Sequence, residues 1–241
     1  MIIRYLKYFF LLFICFYTGA AKNHAQTIYD STIYNWEKYF DLSYGPDYNL
    51  INGIRYLYLY SNVSGHPFFG ENQFYTGSLV IADREYQDIH LKYDIYNQNI
   101  ILQYSPFTGG TDQILLKNEF IHEFKIDGKL FRKYSFSETG TRFYQVVTSG
   151  KIYCLYYWEK YLNYTTSSLY NFSPQKKESY IVMNSKPYRF KRKKQFLKLF
   201  PVQHQKEIKQ FIRNNKIRLK NESDDNMRRL FEFCNQLTEN K

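Results

Sequence analysis

The sequence predicts a mainly β protein: an antiparallel β-sandwich or partly closed barrel with a C-terminal helical segment packed on it. Three observations carry this expectation. From Arg55 to Val182 short apolar or alternating runs are cut by turn residues at intervals typical of antiparallel sheets. Aromatic residues make up 20% of the 241-residue chain, with 26 Tyr and 21 Phe, and such side chains favour pleated, half-buried surfaces. After Pro187 the apolar period lengthens from two to that of a helix.

Taken in order, the first strand is expected at Arg55 to Ser61, followed by loop residues Gly65, Pro67 and Gly70. Thr76 to Asp83 and Tyr86 to Tyr96 follow. In the latter, Ile89, Leu91, Tyr93 and Ile95 should face the core while Asp88, His90, Lys92 and Asp94 face water. Ile100 to Tyr104, Gln113 to Lys117 and Phe120 to Ile126 come next. Asp127 and Gly128 then form a two-residue hairpin turn into Lys129 to Tyr134, because both central positions of such a turn need positive φ. Arg142 to Thr148 and Ile152 to Trp158 are apolar on both faces and are expected near the sheet centre; Tyr180 to Met183 closes the series. Helices are expected at Lys193 to Phe200, Gln203 to Asn214 and Asp224 to Leu237. The last carries Met227, Leu230, Phe231, Cys234 and Leu237 as one stripe, with Ser223 as its cap.

The first residues have the layout of a secretory signal peptide: Arg4 and Lys7, an apolar run from Tyr8 to Tyr17, then Gly19, Ala20, Ala21 and Ala25. That run is about half the roughly twenty residues a spanning helix needs. A cleaved leader is therefore expected, cut after Ala20 or, preferentially, after Ala25 to leave Gln26 first. Cys15 is not expected to be lipidated, because Ile14 stands where a small residue is required. The domain reading is a leader at 1–25, a β domain at 26–185 and a helical segment at 186–241.

Losing a leader that carries Arg4, Lys7 and Lys22 and no acid takes the formal charge from +11 to +8. Export argues against nucleic acid as the partner and directs the basicity towards an envelope protein, a glycan or an anionic membrane surface. Only Cys154 and Cys234 remain after the leader. They are expected to stay unpaired as small buried hydrophobes, and no Cys or His spacing suggests zinc. No cofactor motif is present; the loop Ser105 to Thr111 lacks the Lys-Ser/Thr of a phosphate loop.

Gly77-Ser78-Leu79-Val80, Tyr86, His90-Leu91-Lys92-Tyr93-Asp94 and Phe120-Ile121-His122-Glu123-Phe124, with the Lys- and Phe-rich helical tail and the Ala25-Gln26 junction, resemble uncharacterised secreted proteins of Bacteroidetes. The resemblance implies export and a β-rich body, and carries no activity or site residues.

Several features bear on chemistry. His122 alternates with Phe120, Phe124 and Ile126, so it is expected to face the apolar side, where it would serve as a base only beside a nucleophile that the sequence does not supply. No catalytic residue is assigned. His90, Asp88 and Asp94 share a polar strand face but are spaced too widely to chelate one ion unaided. Tyr56, Tyr58 and Tyr60 form a phenolic row suited to stacking on sugars or a partner protein. Lys186, Arg189, Lys191, Arg192, Lys193 and Lys194 concentrate positive charge among aromatics at the strand-to-helix junction. These two groups are the candidate binding surface. The expected function is that of a non-enzymatic envelope or secreted binding protein. The alternatives are a carrier holding an apolar ligand between sheet and helices and, last, a hydrolase using His122.

Overall fold

The computed structural model describes residues 47–106, 109–164 and 170–239. The leader, its cleavage site and Cys15 lie outside the described residues. Thirteen strands and three helices follow one another in a single unit: β1 Gly53–Arg55, β2 Tyr75–Ile81, β3 Arg84–Asp94, β4 Asn99–Tyr104, β5 Asp112–Leu116, β6 Ile121–Ile126, β7 Lys129–Phe136, β8 Gly140–Val146, β9 Ile152–Glu159, β10 Leu162–Tyr164, β11 Tyr170–Phe172, β12 Lys176–Met183, β13 Lys186–Phe190, α1 Lys193–Leu197, α2 Val202–Asn214 and α3 Asp224–Glu239.

Eleven strands form one sheet in the order β1-β5-β4-β3-β2-β6-β7-β8-β9-β12-β13, every neighbouring pair antiparallel; β10 and β11 form a separate hairpin. The strand order implies strong curvature. β5 and β6 are four strand steps apart, about 19 Å on a flat sheet, yet only four residues, including the 3₁₀ turn Asn118–Phe120, join Leu116 to Ile121. A link that short cannot span that distance in a compact turn. The sheet must therefore curl, although β5 pairs with β1 and not with β6, so no barrel closes. The concave side buries Leu79, Leu91, Tyr93, Ile100, Phe124 and Phe131 at 0–1% exposure. Phe124 and Phe131, opposite each other on β6 and β7, stack with ring centroids 4.9 Å apart.

At the other end the strands are apolar on both faces, as their sequence requires. On β9, Ile152, Cys154 and Tyr156 face the helices, while Leu155 and Tyr157 pack with Tyr144, Tyr180 and Val182 on the opposite side. Met227, Leu230, Phe231 and Cys234 of α3 are fully buried. At about 2 kcal/mol per large side chain, that stripe fastens the helix. Asn235 adds a polar clasp: its amide accepts from Ile152 N at 2.8 Å and donates to Ile152 O and Phe231 O. Ser223 caps α3 through Asn226 N. Cys154 and Cys234 are free and buried in this core.

Several expectations need correction. Of the first predicted strand, Arg55 to Ser61, only Arg55 joins the sheet, as the last residue of β1. A bulge at Gln87 and Asp88, where Asp88 takes φ 54, resets the alternation of β3. The face beyond it is not all solvent: Asp94 is 2% exposed and caps its own turn through Tyr96 N and Asn97 N. His122 is exposed. A register shift pairs Ile81 with Ile121 and Val80 with Glu123, leaving His122 as the extra residue of a bulge and turning it away from the core. β10, β11 and β13 were not expected. Pro187 and the surrounding charge disguise β13, whose position at the sheet edge is where a strand tolerates both.

Candidate functional site

β9, β12 and β13 lie side by side, and their register sets one face. Lys177 is opposite Trp158, and Ser179 lies between Tyr156 and Phe190. Further along the same face of β12, Ile181 and Met183 are covered by the helices. The polar end, Lys177 and Ser179, is instead the floor of a cleft of about 680 Å³. Trp158, Gln175, Lys176, Phe190, Lys191, Arg192, Lys220 and Asn221 complete its lining, which among the described residues contains no carboxylate.

Each wall is held by a local device. Gln195 Oε1 accepts from Lys191 N at 3.0 Å and Arg192 N at 3.1 Å, fixing the turn into α1. Glu222 accepts from Arg218 N, from Ser223 N and from Asn226 Nδ2, fixing the α2–α3 connection that presents Lys220 and Asn221. Trp158 Nε1 donates to Gln145 Oε1 at 2.8 Å, and Gln145 Nε2 donates to Asp224 Oδ2 at 2.7 Å, which locks the indole.

Lys177 is the unusual group. Its ammonium lies 4.0 Å from the Tyr156 ring centroid and 5.9 Å from that of Trp158, and donates to Glu222 O at 3.3 Å. Burial lowers its pKa from the ordinary lysine value, with Asp224 opposing. Beneath it the Tyr156 hydroxyl is buried with no nitrogen or oxygen partner. Among the described residues no ion pair engages Lys177, Lys191, Arg192 or Lys220. Lys176, at the rim, reaches Glu159 Oε1 at 3.7 Å.

The predicted basic run is thus divided. Lys191 and Arg192 line the cleft. Arg189, opposite Tyr180, belongs to the other face of the sheet and pairs with Glu178. Lys186 is exposed at the far end of β13, and Lys193 and Lys194 are exposed on α1. Sequence reasoning missed Lys177, Ser179, Trp158 and Lys220. The predicted tyrosine row is partly covered: Tyr56 and Tyr60 are half-buried and Tyr58 is 39% exposed, while Leu57 and Leu59 stand out further at 66% and 79%.

Neither thiol suits nucleophilic chemistry. Burial pushes Cys154 far up and Cys234 up to about 12. Among the described residues no group of His, Cys, Asp and Glu is arranged to hold a metal ion, and no helix is long and apolar enough to cross a membrane. A second cavity, about 600 Å³, is lined by Leu50, Ile81, Tyr86, Leu116 and Phe120 with Arg84 and Lys117.

No family model, curated protein or solved structure matches the chain.

Proposed function

We propose that this chain is an exported, non-enzymatic binding protein that holds the acidic groups of an envelope or extracellular glycan in the cationic cleft. Lys177 carries the reading: a partly desolvated ammonium with one long hydrogen bond, attracted by Asp224 and Glu222 but ion-paired with neither, in a cleft lined by four further cations and, among the described residues, by no carboxylate. Such a group is costly unless something compensates it. An incoming carboxylate or sulfate would supply charge-assisted hydrogen bonds that the protein itself does not. The locked Trp158 beside it offers a flat apolar surface to a sugar ring. The leader-like first residues and the basic remainder support export to a compartment where acidic polymers are the available anions.

The test is a titration of the mature protein with oligogalacturonate, followed by intrinsic fluorescence, with maltoheptaose as the uncharged control. Binding of the acid only, weakening as salt is raised, is expected. Equal binding of both sugars, or of neither, refutes the proposal.

An apolar-ligand carrier is the second reading. The space between sheet and helices is filled, so the cavity at Leu50, Ile81 and Leu116, at the end of the curled sheet, is what favours it. Displacement of a fluorescent fatty acid by unlabelled fatty acid, unaffected by oligogalacturonate, is its signature.

A further inference from the structure

We propose a second ligand surface, separate from the cleft: a strip of tyrosines that stacks against the rings of a polysaccharide chain. The strip starts where the excursion between β1 and β2 crosses the end of the sheet. Tyr58 meets Tyr60 at 5.8 Å between centroids, Tyr60 meets Tyr96 at 5.9 Å, and both Tyr60 and Tyr96 contact Phe172, at 5.0 and 5.4 Å. Phe172 is on β11 two residues from Tyr170, hence on the same face. Tyr170 in turn sits opposite Tyr164 on β10 with their rings 5.2 Å apart.

This packing is not a closed core. Tyr58 keeps 39% of its surface in water, Tyr96 36%, Tyr170 46% and Tyr164 64%. A lone exposed tyrosine is ordinary, but two exposed groups of them gathered on either side of the buried Phe172 mark a contact surface. Its polar groups are phenols and the Asn97 amide, which donates to Tyr60 Oη at 3.1 Å. The strip itself contains no charged side chain; the nearest carboxylate along the chain, Asp94, is buried. Flat ring faces bordered by hydroxyl and amide groups, without charge, complement the apolar faces and hydroxyl edges of sugar rings.

The strip is also preformed. Asp94 accepts from Tyr96 N at 2.9 Å, Asn97 N at 2.8 Å and Asn97 Nδ2 at 2.8 Å, so the turn that displays Tyr96 and orients Asn97 is pinned from below. Stiff two-torsion side chains on a pinned turn lose little entropy on binding.

The experiment is co-sedimentation of the mature protein with insoluble cellulose, xylan and chitin in 0.5 M NaCl, which suppresses contributions from the cleft. Wild type should sediment with at least one of the three. The combined Tyr96→Ala and Tyr170→Ala variant should lose at least about tenfold in affinity, and Tyr96→Phe should keep wild-type binding. The alanine variant should melt lower only by the ring contacts that Tyr96 makes with Tyr60 and Phe172 and that Tyr170 makes with Tyr164, and its circular dichroism should match that of wild type, so lost sedimentation is not lost fold. Lys177→Met should sediment like wild type, so failure of the cleft reading and of this one are separable. Sedimentation with none of the polymers, or equal sedimentation of the alanine variant, overturns the proposal.

Discussion

Replacing Lys177 by Met separates a binding role from a structural one. Met keeps an unbranched chain over the Tyr156 and Trp158 rings and removes the charge. The Lys177 ammonium has three N–H groups, of which one reaches Glu222 O at 3.3 Å. Two are left for a ligand. Charge-assisted hydrogen bonds contribute about 1.5–3 kcal/mol each. Allowing for imperfect geometry, a total of about 2–3 kcal/mol should be lost from acidic-glycan binding, or about 30- to 150-fold in Kd. Stability should respond differently. Loss of the cation–π contacts, about 0.5–2 kcal/mol, is offset by relief of a desolvated charge, so unfolding free energy should change by no more than about 1 kcal/mol. The pH dependence has a definite sign. Because the folded pKa lies below the unfolded one, the penalty is complete below the folded pKa and disappears as pH rises through the unfolded value. Wild type should therefore gain on the Met variant in alkaline solution. Fluorescence titration with oligogalacturonate and urea unfolding read the two effects. Unchanged affinity would refute the binding role; a loss of several kcal/mol in stability would show that Lys177 mainly braces the Glu222 connection.

Three further outcomes follow from the fold. Gly77→Ala should lower stability by about 3 kcal/mol, read as a shifted urea midpoint, because a Cβ there would stand 1.8 Å from Lys125 O and force β2 from β6; a shift worth under 1 kcal/mol would contradict the tight pairing. Burial raises the Asp94 pKa, with its hydrogen bonds to Asn97 and Tyr96 opposing. The folded state thus holds this proton more tightly than the unfolded chain, and the stability Asp94 contributes should fall as pH rises from about 4. Comparing wild type with Asp94→Asn across that range tests the sign, and a rising contribution would contradict it. Pro187→Val combined with Arg189→Ala should expose the β13 edge to strand pairing and cause concentration-dependent association. Unchanged light scattering would mean that the edge is protected otherwise.

Local rules made much of the fold legible. Asp127 and Gly128 take positive φ as their turn requires, and the α3 stripe lies buried where its spacing places it. What local rules could not show were the bulges. The extra residue at His122 turns that side chain outward where simple alternation sends it inward, the bulge at Gln87 and Asp88 breaks the alternation between Tyr86 and the buried Leu91–Ile95 face, and no composition signal marks either. The setting of the tyrosine row was not legible for a related reason. Residues 56–60 alternate like a strand but have no ladder, so packing on Phe68 and Phe172 decides their orientation. The cleft was half visible. Lys191 and Arg192 stand in an obvious basic run, whereas Lys177 and Trp158 meet only because β9 pairs with β12 across the β10–β11 excursion. One signal was present: on the inward face of β12, polar Lys177 and Ser179 precede apolar Ile181 and Met183. That break shows where helical cover ends.

The most direct measurement is an amide ¹H–¹⁵N correlation titration of the mature protein with oligogalacturonate. Binding in the cleft should produce saturable shifts concentrated at Lys177, Ser179, Lys191, Arg192, Lys220 and Asn221, with the Trp158 indole signal moving with them. Shifts spread over the exposed lysines of α1 and α2, with Lys177 and the indole unmoved, would show diffuse attraction to a basic surface and contradict a built site.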